Sequence, residues 1–359
     1  MINGTHPAPP MARKELFAAI ADRLGDNQRL LETTGKPSLQ QLKVFWLEVN
    51  QEYTPKPLIG SPWRATDSRF YTRLDPAPPS QNHMWLDASN DRIWYVYTFA
   101  DRKFASGVIQ SELTSQKGVD RVWLAEDFLE SVRGRKGYQG RGFGFSFKGI
   151  LARETAEEEL PRFSAKFWLG NTEATPEQRA FLSLAKDTFS TSSVRMGRGS
   201  LNPEFGGSGV LLEIFSRGHM TVTTSEDPEE VLGLINEIGS SYATELRQIE
   251  SRRLRFPRPV EFGFHTDLDL ERFRAIVESG VGPTRLWLQR YEVEGELHRY
   301  TGVDLHTNQL LNLDVAPSFA YLVIRKTGCM NAAPRLMTIS TELLSSKTSM
   351  SFEGAQMFA

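Results

Sequence analysis

Apolar side chains recur at helical spacing at Leu16, Phe17, Ile20 and Leu24, and Gly25 stops the run. Ser38 and Gln41 form a capping-box pattern ahead of Leu42, Phe45, Trp46 and Val49, so residues 11–50 read as two helices. Such a pair is either a helical cap on a larger core or a helix-turn-helix. Pro55, Pro57, Pro62, Pro76, Pro78 and Pro79 then mark a loop-rich connection. Met84–Asp87 and Arg92–Phe99, dense in aromatic and β-branched residues and separated by Ala88–Asp91, predict a hairpin. Leu124–Val132 predicts a short helix.

From residue 162 the order of elements becomes regular. A strand at Lys166–Leu169, a capped helix from Thr175, strands at Val210–Phe215 and His219–Thr224, and a long helix over 228–250 follow one another. That last helix carries Val231, Ile235, Ile238, Tyr242, Leu246 and Ile249 on one stripe. The succession then returns, with strands at Val260–Phe264, Arg285–Val293 and Tyr321–Ile324, β signal around Leu310, a helix through Leu270, Phe273 and Val277, and a last helix over 331–346. Strand–helix–strands–helix therefore occurs at 162–250 and 258–347, as a repeat of pattern without a visible repeat of residues. The expected fold is α+β: a disordered segment 1–10, a helical segment 11–56, an aromatic β-rich domain 57–161, and a pseudo-duplicated half with a curved antiparallel sheet. Trp168, Ile214, Val222, Phe262, Leu288 and Val323 mark the strands expected to share that sheet.

One stretch of the first repeat resembles a known family. Asn202-Pro203-Glu204-Phe205-Gly206, then Leu211 to Met220 with its Phe215-Ser216-Arg217-Gly218-His219-Met220 hairpin, then Thr223 and a capped helix, is similar to the TATA-binding-protein fold. The resemblance implies a saddle of two repeats whose concave sheet meets nucleic acid. It implies that His219, Thr221 and Thr223 lie on the contacting hairpin, with Arg252, Arg253 and Arg255 at the rim. His219 stands where that family carries a basic residue.

Composition narrows the field. The chain has 359 residues, hydrophobic 40% and charged 24%, with 42 Lys plus Arg against 44 Asp plus Glu, a net charge of −2. This is a globular composition without the global basicity of a nucleic-acid coat, although a local basic patch stays open. One cysteine excludes an intrachain disulfide framework and a Cys-rich zinc finger. No secretory signal or long apolar span is visible, so a cytoplasmic location without membrane contact is expected.

A basic patch does exist. Arg133, Arg135, Lys136, Arg141 and Lys148 surround Gly-rich sequence without an acid, and Phe143, Phe145 and Phe147 alternate along it. Cations can neutralise phosphates and Phe faces can stack on bases. Arg141 to Phe145 also resembles the start of the RNP1 octamer of RNA-recognition motifs. The competing reading is a strand with its phenylalanines on one buried face. His265, Asp267, Asp269 and His306 offer ligand types for a hydrolytic metal site, although both aspartates also suit a helix N-cap. Cys329, just before a helix, is either an activated thiol or a small core residue. No dinucleotide fingerprint, Walker A run or His-Glu-x-x-His is present. The expected function is non-catalytic nucleic-acid binding without a cofactor. The alternatives are a protein- or ligand-binding scaffold and, third, a metal-dependent hydrolase.

Overall fold

A computed structural model describes residues 12–34, 38, 40–50, 62–73, 83–147, 163–168, 175–177, 180, 181, 183, 184, 190–199, 209–225, 227–255, 258–280, 284–325, 328–344 and 347–357. It is an α+β structure whose strands pair antiparallel, in two compact units. Unit 1 comprises Met1–Arg121, Gly197–Glu213 and Gly218–Ser240; unit 2 comprises Val122–Met196, Ile214–Arg217 and Ser241–Ala359. The expected domains 57–161 and 162–250 each contribute to both units, while segment 1–10 lies outside the described residues.

In unit 1, α1 (Arg13–Thr34) runs straight through Gly25. The ~1 kcal/mol that Gly costs a helix relative to Ala is outweighed because Leu16, Ile20, Leu24, Asn27 and Gln28 form a continuous buried stripe. The expected second helix is instead β1 (Leu42–Val49), buried at every position. It lies between β5 (Ile93–Thr98) and β11 (His219–Thr224), and β6 (Val119–Arg121) also pairs with it. Apart from Lys43 and Glu48 the strand is apolar on both faces, so its sequence satisfies helical and strand periodicity alike.

Strands β2 (Trp63–Asp67), β3 (Phe70–Arg73) and β4 (Met84–Asp87) complete the order β2-β3-β4-β5-β1-β11, followed by β10 (Gly209–Phe215). The hairpin read at 84–98 is present, with Met84 opposite Thr98 and Asp87 opposite Tyr95. The core packs Phe45, Leu47, Trp94 and Val96 against Ala105 and Val108 of α2 (Arg102–Val108) and against Ile109 and Leu113 of the π-helical turn after it. Asp101 caps α2 by accepting from the Lys103 and Phe104 amides, which hold its carboxyl below the usual range. A buried ion pair, Arg92 to Glu48 at 3.0 Å, sits on the strands of this sheet.

Unit 2 contains α3 (Glu126–Arg133), β7 (Gln139–Phe147) and β8 (Phe163–Trp168), followed in the chain by β9 (Thr191–Gly199); the division between units cuts β9, β10 and α4 (Pro228–Arg255). Its second sheet is built from β12 (Val260–Phe264), β13 (Leu286–Glu294), β14 (Leu297–Asp304), β15 (Gln309–Val315), β16 (Phe319–Ile324), β17 (Thr348–Phe352) and β18 (Ala355–Gln356). The order is β13-β14-β15-β16-β12-β17-β18. The short helix α5 (Leu270–Glu278) is capped by Asp269, which accepts from the Arg272 amide at 3.0 Å. Both α5, through Phe273 on Tyr300, and α6 (Ala332–Leu344), through Arg335 on Asp304, meet the inward face of this sheet.

The expected single sheet is not formed. Trp168, Ile214 and Val222 belong to one sheet, and Phe262, Leu288 and Val323 to another. Next to β12 stands β17, a strand not anticipated from the sequence. It pairs with β12 on the side opposite β16, so β12 has no edge left for a strand of the first repeat. A different recurrence is present instead. The order β2-β3-β4-β5-β1 in unit 1 matches β13-β14-β15-β16-β12 in unit 2. In each, a leading strand is followed by a four-strand meander whose last strand returns beside it. Residues 42–98 thus share a topology with residues 260–324.

Candidate functional site

With α5 and α6 on one face of the second sheet of unit 2, the other face carries a distinct set of side chains in register. One row is apolar: Trp287 lies opposite Val303, and Val303 opposite Leu310. The next is mostly polar: Gln289, Thr301, Asn312 and Val323, with Thr301 Oγ1 donating to Asn312 Oδ1 at 2.9 Å. The third is charged and aromatic: Glu292, Arg299, Asp314, Tyr321 and Glu261. Trp287 is 58% exposed, Val323 42%, Leu310 41% and Tyr321 40%. Strand alternation explains the pattern, since Leu286, Leu288, Leu311, Leu313, Leu322 and Ile324 fill the core from the same strands.

The rows are held close together. Gly302 sits opposite Leu288, and a Cβ at 302 would lie 2.8 Å from the Leu288 Cα and run into the Trp287 carbonyl. Only glycine permits this approach of β14 to β13, and it keeps Trp287 close to Val303. Arg299 donates to Glu292 at 2.7 Å and to Glu294 at 3.2 Å, and these carboxylates raise its pKa further. Its charge is therefore already matched within the face, and Glu261 and Asp314 leave the charged row acidic.

The residues expected to bind nucleic acid are placed differently. Phe143 and Phe145 are each 2% exposed and meet edge-on, 4.9 Å between centroids. Both also contact Phe167 of β8, at 5.9 and 5.8 Å. They are core, because residues two apart on β7 share its buried face, and they present no ring to a base. Arg133 pairs with Glu130 at 2.5 Å on α3, Arg135 is half-buried, and Lys136 is exposed in the turn before β7. Arg141 lies on β7; its side chain and Lys148 fall outside the description.

His219 is buried at 6% exposure and stacks on Phe45 at 5.4 Å, because as the register partner of Phe45 it shares that residue's core-facing side of the sheet. Thr221 and Thr223 are half-buried on the same strand. Arg252, Arg253 and Arg255 are on α4, which continues through the expected linker; Arg252 is exposed, Arg253 is 4% exposed, and the Arg255 side chain is outside the description. The Pro203-Glu204 turn lies outside the described residues. The metal-ligand set is dispersed, since His265, Asp267 and Asp269 are exposed whereas His306 is completely buried. The exposed face of β13–β16 was not anticipated. Its one sequence signal is the alternation through Trp287, Gln289 and Tyr291.

These features define an α+β protein of two antiparallel-sheet units, one of which presents an open apolar and acidic face. No helix among the described residues is long and apolar enough to cross a membrane. The chain belongs to the MJECL33-like protein family, whose model matches residues 11–357. It is 26% identical over 154 residues to the uncharacterized protein MJECL33 of Methanocaldococcus jannaschii, a match covering 40% of this chain and 37% of that protein. No solved structure matches it.

Proposed function

We propose that this protein is a non-catalytic scaffold that docks another protein on the outer face of β13–β16. The observation that carries the reading is the exposure, on one registered sheet face, of Trp287, Leu310, Tyr321 and Val323. Contiguous apolar and aromatic surface rimmed by polar groups is the character of protein-interaction sites. The acidic third row specifies the partner's chemistry: an apolar patch flanked by Lys or Arg that meets Glu261, Asp314 and Glu292. The same row argues against nucleic acid, which needs uncompensated cations along its phosphates, and the aromatics expected to stack on bases are in the core.

The test begins with proteins retained by the immobilised wild-type chain, each then purified and titrated individually. For a partner docking here, Trp287→Ala costs at least ~2 kcal/mol of binding, the size of an interface hot spot, and Val323→Lys does the same. Neither changes the melting temperature by more than a few degrees, because both side chains are about half exposed and neither belongs to the core. A partner whose affinity ignores both substitutions overturns the reading. So does a chain that binds single-stranded oligonucleotide and no protein, or one that closes this face by self-association.

A further inference from the structure

The recurrence of topology extends to the elements that follow each meander. In unit 1, β5 is followed by α2, packed on the Phe45 side of the sheet, and then by β6, which pairs with β1 on the edge opposite β5. In unit 2, β16 is followed by α6 and then by β17, which pairs with β12 on the edge opposite β16. The hairpins that end the two meanders agree in register as well. Asp87 stands opposite Tyr95 in one, and Asp314 opposite Tyr321 in the other. The faces turned away from α2 and α6 differ in one respect, which is their covering. In unit 1 helices close that face. Arg13 of α1 pairs with Asp87 at 2.7 Å, and Phe17, one turn on, meets Tyr97 edge-on at 6.1 Å. The Trp46 indole donates to the Ile235 carbonyl of α4 at 3.1 Å. Gly239 lets the same helix approach Tyr95, since a Cβ there would lie 2.7 Å from the tyrosine oxygen. On the corresponding face of unit 2, Tyr321, Val323 and Leu310 stay exposed.

We infer that the partner docks on this face as a basic amphipathic α-helix, with Lys or Arg against Asp314 and a large apolar side chain one turn further on against Val323. The inference rests on the docking reading and specifies its occupant. Three observations support it. First, α1 shows the fit. Four residues of helix rise ~6 Å and two residues of strand span ~6.7 Å, so side chains four apart on a helix match side chains two apart on a strand. Arg13 and Phe17 use this match on Asp87 and Tyr97, and Asp314 and Val323 repeat the arrangement, Val323 standing two residues along β16 from Tyr321. Second, β14, β15 and β16 are each paired on both sides. An extended segment laid on them finds no backbone partners, whereas a helix satisfies its own amides and carbonyls. Third, Asp314 holds the place of Asp87, which α1 meets with an arginine, while the neighbouring Arg299 is taken by Glu292 and Glu294.

The test uses a displayed library of random peptides of ~18 residues, long enough for a helix to form. Peptides are selected on the immobilised full-length chain and counter-selected on its Val323→Lys variant, or on Trp287→Ala if the first fails to fold. Clones that depend on the face should carry apolar residues at i, i+3, i+4 and i+7 with Lys or Arg one turn away. As free peptides they should gain helical circular dichroism on binding, and a central proline should abolish that binding. Asp314→Lys should weaken them by about tenfold or more at low salt, and exchanging the peptide's cation for Glu should restore affinity for that variant. Face-dependent clones that alternate apolar and polar residues, or that tolerate the proline, overturn the helix and leave the docking reading standing. Helical clones indifferent to Asp314→Lys overturn the assigned contact. Absence of any face-dependent clone overturns both readings.

Discussion

Glu126 opens α3 with a partly buried carboxylate that accepts from Thr191 Oγ1 at 3.1 Å. Burial raises its pKa above the ordinary 4.5, against the opposing pull of the Lys347 charge and the Thr191 hydrogen bonds. A raised folded pKa means the folded chain binds more protons than the unfolded chain between the two values. Stability contributed by this residue is therefore present below the ordinary carboxylate pKa and lost as pH rises through the raised value. Glutamine keeps an acceptor for Thr191 and removes the charge. Glu126→Gln should thus melt at an equal or higher temperature at pH 7, with a flatter dependence of melting temperature on pH above 4.5 than the wild type. A fall of several degrees at pH 7, with the slope unchanged, would show that the charge itself is stabilising. Burial likewise separates the ion pairs of the two units: Arg335 and Asp304 of unit 2 are paired away from water, whereas the pair Arg29–Asp26 on α1 of unit 1 is exposed and contributes little.

At the scale of the element, β7 shows how one sequence supports two readings. Phe143→Ala should cost ~3–5 kcal/mol of stability, read as a lower denaturant midpoint, because the ring lies against Phe145 and Phe167. Lys136→Ala in the exposed turn should stay within ~0.5 kcal/mol. Equal midpoints for the two variants would mean that the ring is not core. Period-two spacing made the buried strand legible, and local signals likewise gave the hairpin at 84–98, α3 and the Asp269 cap of α5. What failed were features set by distant neighbours. β1 reads as a helix because, burial on both faces having made all its positions but Lys43 and Glu48 apolar, it lacks the alternation of a strand, and only its pairing with β5 and β11 reveals it as one. Gly25 looks like a stop until the stripe that carries α1 past it is seen. Thr348–Phe352, with serine at alternate positions, carries weak strand signal, yet as β17 it closes the edge of β12 that a strand of the first repeat would need. The candidate surface was hidden for the same reason. The strands at 285–293 and 321–324 were evident, but which of their faces the helices would cover was not. Nor does sequence show that Asp314 stands opposite Tyr321 as Asp87 does opposite Tyr95.

Across the whole molecule, charge decides what kind of macromolecule the chain can hold. The net charge is −2 with a sequence pI of about 6.4, and the exposed face of unit 2 adds Glu261, Asp314 and Glu292 beside its aromatics. Long-range steering by such a face favours a basic partner and repels a polyanion. Screening acts over ~8 Å at physiological ionic strength, so these carboxylates, exposed at Glu261 and Glu292 and half-buried at Asp314, govern the approach of a partner more than the final contact. The double variant Glu261→Lys/Asp314→Lys should therefore slow association with the docked protein by about tenfold or more at low salt, the lower end of electrostatic steering effects. Its dissociation rate should change far less, and the difference from wild type should shrink as salt is raised. Trp287→Ala should show the opposite signature, faster dissociation with an unchanged salt dependence, because its contact is apolar and forms after encounter. Surface plasmon resonance across a salt series reads both rates. If charge reversal leaves the association rate untouched, the acidic row has no part in recognition. If it instead speeds association with the protein partner, that partner is acidic and the chemistry assigned to it here is wrong.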